Sequence, residues 1–106
     1  NFNYLKIIYA SLYMSNLMNL DTKDLEILFN KKSEIIKQKE SISDEDKLFL
    51  YKYYKQATIG DINIEEPSFF NFVAKQKYNA WKSIKGETKQ LSMIYYINKV
   101  DELMNE

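Results

Sequence analysis

Two glycines and one proline serve the whole of a 106-residue chain, and this scarcity of breakers constrains the fold more than any other feature of the sequence. Gly interrupts regular structure because it reaches left-handed conformations without strain, and Pro because it lacks an amide donor. Gly60, Pro67 and Gly86 separate stretches in which apolar residues recur at three- and four-residue spacing, so the fold class is all-α. Asp21 and Thr22 can cap a first helix with Leu25, Leu28, Phe29, Ile35 and Ile36 on its apolar side as far as Lys39. Residues 41–43 turn the chain. Ser43 then caps a second helix whose first turn, Asp44, Glu45 and Asp46, suits the positive end of a helix dipole and which runs to about Thr58. Gly60 ends it, and residues 61–67 make a connection long enough to cross a bundle. Ser68 is the expected cap of a third helix with a buried stripe of Phe70, Ala74, Tyr78 and Trp81, closed by Gly86. Thr88 caps a fourth with Met93, Ile97, Val100 and Met104 as its seam. The expected product is a four-helix bundle, for which an up-and-down topology is the default from pattern alone.

Composition narrows the chemistry. A chain of this length is one domain and buries about two-thirds of its unfolded surface, enough for a core without staples. It has no Cys and no His, so disulfides, a thiol nucleophile, the usual general base and the commonest zinc ligand are all missing, and neither catalytic nor metal residues are assigned. Fifteen acidic groups balance fifteen basic ones, all of the latter Lys, which argues against nucleic acid as a partner. Any anion site must therefore be a local cluster. Asp61, Glu65 and Glu66 are the concentrated carboxylates after the second helix, and their spacing reads as a solvated loop rather than a catalytic pair.

Such a cluster lies at the end of the second helix. In Tyr51-x-x-Tyr54-Lys55-Gln56-Ala57-Thr58-x-Gly60-Asp61, helical spacing makes neighbours of positions 51, 54 and 55, giving a flat ring for a base to stack on, phenol donors and an ammonium for a phosphate. Downstream come Pro67, Lys75-Gln76-Lys77-Tyr78-Asn79-Ala80-Trp81-Lys82, Lys85-Gly86 and Tyr95-Tyr96-Ile97-Asn98-Lys99-Val100-Asp101-Glu102-Leu103. In that order and spacing these segments resemble the acyl-CoA-binding protein family, from about Phe29 to Leu103. The resemblance implies a skewed four-helix bundle in which the connection after Gly60 crosses between the second and third helices.

It also implies a site. Tyr54 would lie against adenine, Tyr51, Lys55, Lys77 and Tyr96 would contact the 3′-phosphate and ribose, Lys37 would add a phosphate contact, and Ser33 would allow close backbone approach. Several negative charges need compact ammonium groups arriving from different helices, which is the physical reason for Lys at these positions. The acyl chain would occupy a groove lined by Leu48, Val73 and Gln76. Lys47 and Gln76 depart from the smaller or apolar side chains common in the family, which bears on groove length. The function implied is a non-catalytic, cytoplasmic, monomeric carrier with no cofactor, binding medium- and long-chain fatty acyl-CoA and delivering it to enzymes that use acyl-CoA. Trp81 is read as core rather than ligand site.

Residues 1–20 precede the expected domain at 21–106 and form an extra apolar N-terminal segment with no charge beyond Lys6 up to Leu20. Asn and Ser break the run below the roughly 18 clean apolar residues of a membrane span. It reads as an anchor, the remnant of a leader, or a start foreign to the mature protein. The alternative function follows from it: a tether in which this segment contacts a membrane or partner and acyl-CoA binding serves localisation.

Overall fold

The computed structural model describes residues 2–106, which form five helices and, among the described residues, no strand. They are α1 (Phe2–Met18), α2 (Thr22–Ile35, followed by a 3-10 turn at Ile36–Gln38), α3 (Asp44–Thr58), α4 (Phe72–Lys82) and α5 (Lys89–Met104). The four expected helices are α2 to α5, and the apolar segment before them is itself a helix. Side-chain caps hold the starts of α2, α3 and α5. The Asp21 carboxylate accepts from the Asp24 amide (2.8 Å), Ser43 Oγ from Asp46 (3.1 Å) and Thr88 Oγ1 from Leu91 (3.1 Å), each satisfying an amide that has no partner within its helix. Gly60 and Gly86 have φ of 101° and 96°, the left-handed conformation that lets the chain leave α3 and enter α5.

The start of α4 differs from the sequence expectation. Asn71, not Ser68, is the cap, with Oδ1 accepting from the Ala74 amide (3.4 Å). Ser68 instead closes a turn upstream, its Oγ accepting from the Phe70 amide (3.3 Å) and its carbonyl from the Asn71 amide (2.9 Å). Phe70 therefore lies outside the helix and is 84% exposed, so the buried stripe begins at Ala74. At the far end of α5 the seam steps from Val100 to the buried Leu103, a three-residue step that leaves Met104 exposed.

The core centres on α5, whose Met93, Ile94, Tyr96, Ile97, Val100 and Leu103 meet Leu25, Phe29 and Ile36 from the α2 side and Leu50 and Ala57 from α3. Leu17 of α1 is buried in the same cluster. Nearby, the Tyr13 hydroxyl donates to Asp101, whose other oxygen accepts from Lys32 Nζ (2.6 Å), so a three-residue polar clasp joins α1, α2 and α5. Burial, and then Asp101, push the Tyr13 phenol well above its ordinary range, so it remains a donor. None of the helices among the described residues is long and apolar enough to cross a membrane.

A second polar cluster joins α3, α4 and both connections around α4. The buried Gln56 donates through Nε2 to Asp61 Oδ1 and to the Glu87 carbonyl, both at 2.8 Å. Its Oε1 accepts from Trp81 Nε1 (3.2 Å), which also donates to the Gly60 carbonyl (3.0 Å). Asp61 Oδ1 accepts in addition from the Gly86 amide (2.7 Å). Trp81 is thus buried, as the sequence suggested. Asp61, by contrast, is no idle loop carboxylate.

Two outcomes follow from this cluster. Gln56→Leu leaves the Glu87 carbonyl without its donor and takes one of two donors from Asp61, while Trp81 keeps the Gly60 carbonyl; it is expected to destabilise the fold by about 2 kcal/mol, read by urea unfolding on Trp81 fluorescence. The Gly86 amide, and then Gln56, hold the Asp61 carboxyl below its ordinary value of 3.8. Because the folded value is the lower one, the stabilisation is complete above 3.8 and is lost as pH falls through the folded value. Asp61→Asn should therefore flatten the loss of stability below pH 4, seen as a smaller drop in Tm between about pH 5 and 3 than in wild type.

Candidate ligand-binding site

Helix α3 turns two faces to different tasks. Leu50, Gln56 and Ala57 point inward, while Tyr51 and Tyr54 flank a cleft of about 580 Å³ that opens between the C-terminal end of α2, α3, α4 and α5. Its walls carry Ser33 and Glu34 from α2, Ile36 and Lys37 from the 3-10 turn, Lys39 and Ile42 from the turn before α3, Lys47, Leu50, Tyr51 and Tyr54 from α3, Lys77 from α4 and Tyr96 from α5. Six of the seven residues that the family resemblance implicates at the head group, Ser33, Lys37, Tyr51, Tyr54, Lys77 and Tyr96, come together here although the chain separates them by up to sixty-three positions.

An aromatic trio forms one side. The rings of Phe29 and Tyr54 stack with centroids 5.5 Å apart, Tyr96 meets Phe29 edge-on at 4.9 Å, and Tyr54 lies 5.8 Å from Tyr96. Phe29 and Tyr96 are buried, whereas Tyr54 is 42% exposed, so its ring is supported from below and free to meet a ligand above. Burial, with lesser contributions from Tyr54 and Glu34, pushes the Tyr96 phenol up to about 12, which keeps its hydroxyl protonated. Burial likewise raises the Tyr51 phenol.

Lys55 is the seventh residue and does not line the cleft. Its ammonium sits 5.9 Å from the Tyr51 ring centroid and 5.7 Å from that of Trp81, while Lys77 Nζ sits 5.4 Å from the same Tyr51 ring. Tyr51 is therefore flanked by ammonium groups from α3 and α4, at distances that fit cation–π contact. Lys37 is held by Glu34, with Nζ 3.1 Å and 3.2 Å from the two carboxylate oxygens, in an exposed pair that an incoming phosphate can outcompete. Of the residues assigned to the acyl chain, Leu48 is half-buried and Val73 and Gln76 are exposed on α4, and none of the three lines the cleft. Ile36, Ile42 and Leu50 form its apolar wall instead.

Glu34, Lys39, Ile42 and Leu50 went unassigned in the sequence. Ile42 carries a signal in hindsight, being the only apolar residue between Lys39 and Lys47, and Glu34 stands three positions before Lys37 on the same helical face. Lys39 pairs across the bundle with Glu106 (3.4 Å), which no local spacing announces.

Two other clefts are differently charged. One of about 430 Å³ sets Lys89 against Glu26, and one of about 730 Å³ beside α1 has Asp101, Glu102 and Glu106 in its walls. The cleft at Tyr54 instead holds four lysines against one carboxylate, the balance that an anionic ligand requires. Among the described residues there is no group of three or more acidic, His or Cys side chains able to hold a metal ion. The arrangement can clamp an anion and stack a flat ring.

Known proteins resemble this chain in sequence and in fold. The family model described as Acyl CoA binding protein matches residues 26–100. Acyl-CoA-binding domain-containing protein 3 of Oryza sativa subsp. japonica is 48% identical over 67 residues, which are 63% of this chain and 43% of that protein. Acyl-CoA-binding domain-containing protein 2 of the same plant is 45% identical over 67 residues, 74% of its length. The crystal structure of Oryza sativa Acyl-CoA-Binding Protein 2 superposes with a TM-score of 0.77 at 39% identity, covering 79% of this chain and 92% of that one. With the bundle, the family model and these relatives in agreement, the chain belongs to the acyl-CoA-binding protein family.

Proposed function

We propose that the chain is a non-catalytic binding protein for medium- and long-chain fatty acyl-CoA esters, which it buffers and delivers to enzymes of lipid metabolism. The observation that carries this reading is the convergence of Ser33, Lys37, Tyr51, Tyr54, Lys77 and Tyr96 on one cleft. An acyl-CoA is polar and multiply charged at one end and apolar at the other. Tyr54 offers a supported ring to adenine, and the ammonium groups of Lys55 and Lys77 around Tyr51 suit the 3′-phosphate. Ile36, Ile42 and Leu50 supply the apolar wall against which the acyl chain starts. Buried methylenes are worth up to about 0.8 kcal/mol each, so the tail sets much of the affinity and the head group sets the class of ligand. No turnover is called for, and a monomer working in the cytosol suffices.

A second reading rests on α1, where Tyr4, Leu5, Ile7, Tyr9 and Leu12 are exposed. Here the helix tethers the bundle to a membrane or partner and acyl-CoA binding serves localisation.

Calorimetric titration with palmitoyl-CoA, free CoA and palmitate tests the first reading. Wild type should bind palmitoyl-CoA far more tightly than either fragment. The Lys55→Ala/Lys77→Ala double variant should lose on the order of a hundredfold in affinity while keeping its Tm, because two charge-assisted phosphate contacts are removed from solvent-accessible positions. Failure of a folded wild type to bind palmitoyl-CoA would overturn the reading. Along a series of acyl lengths, each two added carbons should improve affinity by up to about tenfold until the apolar wall ends. Lys47→Met should extend that limit, whereas identical length profiles for the two proteins would show that Lys47 does not bound the chain.

A further inference from the structure

One surface stays unexplained by the cleft and the core. Residues 67–86 begin with Pro67-Ser68-Phe69-Phe70-Asn71-Phe72-Val73, and the structure exposes the apolar members of this run almost fully. Phe69 is 73% exposed and Phe72 is 68% exposed; with Phe70 they form a tip of three phenyl rings at the N-terminal end of α4. Phe69 and Phe70 stack on each other at 4.2 Å between centroids, so each finds its partner within the tip and neither folds back on the bundle. Scattered exposed apolar residues need no explanation, but a contiguous group of large ones marks a surface that meets something apolar.

Charge says what that partner is. The same residues 67–86 carry Lys75, Lys77, Lys82 and Lys85 and no carboxylate, whereas all fifteen acidic residues of the chain lie outside this stretch. Glu66, just upstream, pairs with Lys75 and also feels the charge of Lys82. Lys75 and Lys82 both lie 5.9 Å from the ring of Tyr78, on the α4 face that Phe72 leads by helical spacing. At 1.5 Å of rise per residue, Lys75 sits about 5 Å and Lys82 about 15 Å behind Phe72 along the axis. Apolar tips enter a bilayer to a depth of roughly 5–10 Å, which leaves Lys75 near the head groups and Lys82 above them, within about a Debye length of the charged surface. Association of two copies through the same tip would instead bring lysine against lysine.

We infer that the Phe69, Phe70 and Phe72 tip, with the lysines behind it on α4, docks the protein on an anionic lipid surface. The tip is continuous with the ligand site, since Val73 follows it directly and Lys77, one turn further, lines the cleft. The inference thus deepens the acyl-CoA reading by naming the surface from which an amphiphilic ligand is taken up and to which it is returned, and it rests on that reading for its purpose alone.

The test is flotation of the full chain, without ligand, on vesicles of pure phosphatidylcholine and of phosphatidylcholine with about a third phosphatidylserine. Wild type should float with the anionic vesicles, less with the neutral ones, and less as salt rises. The Phe69→Ser/Phe70→Ser/Phe72→Ser variant, altered only at exposed positions, should lose about tenfold or more of its partitioning at unchanged Tm. Lys82→Gln/Lys85→Gln should remove most of the preference for phosphatidylserine. No flotation of wild type would overturn the inference. So would full flotation of the triple Ser variant with loss in Tyr4→Ser/Ile7→Ser/Tyr9→Ser, which would assign docking to α1, or a wild-type dimer by sedimentation that the triple Ser variant abolishes. Intact calorimetric binding of palmitoyl-CoA without flotation refutes docking alone, and flotation without such binding refutes the carrier reading alone.

Discussion

The amide of Gln56 is the constraint on which the rest depends. A primary amide buried in a helical protein must find partners for its donors and acceptor, and Gln56 finds them in Asp61, the Glu87 carbonyl and Trp81. Those partners lie just after α3, just before α5 and inside α4, so one side chain fixes how three helices and two connections meet. The network is complete, since every buried side-chain polar atom among the described residues has a hydrogen-bond partner. Directional bonds at this point specify the long connection over residues 59–71, which has few buried side chains to position it.

From that anchor the site follows geometrically. With Gln56 and Ala57 turned inward, helical periodicity obliges Tyr51, Tyr54 and Lys55 to face sideways, toward the end of α2 and toward α4. The buried Phe29 and Tyr96 then support Tyr54 from beneath. A ring braced in this way is preorganised, so stacking on it costs little ordering. The lysines are left near aromatic rings or in exposed ion pairs, arrangements weak enough to be exchanged for contacts with a phosphate.

Much of this was legible in the sequence. Few breakers and good caps at Asp21, Ser43 and Thr88 announced the helices, because those signals are local. The family resemblance named seven head-group candidates, six of which share the cleft. What escaped was set by tertiary geometry. Ser68 and Asn71 are both good caps by type, and only the turn closed by Ser68 decides for Asn71. The role of Asp61 depends on an amide twenty-five residues away, at Gly86. The apolar wall of Ile36, Ile42 and Leu50 draws on three separate elements, so no periodicity could mark it, and Leu48, Val73 and Gln76 fall on other faces. Likewise nothing local in residues 1–20 says how they meet the bundle, yet Leu17 is buried in the core and the Tyr13 hydroxyl donates to Asp101, eighty-eight residues on.

The central claim is that the cleft bounded by α2, α3, α4 and α5 receives acyl-CoA. The most direct measurement is a map of backbone amide chemical shifts during titration of the isotope-labelled chain with palmitoyl-CoA. The account predicts the largest changes at Ser33, Lys37, Tyr51, Tyr54, Lys77 and Tyr96, with little change around Asp101 or Glu26. Changes centred on either of the other two clefts, or none at saturating ligand, would contradict it.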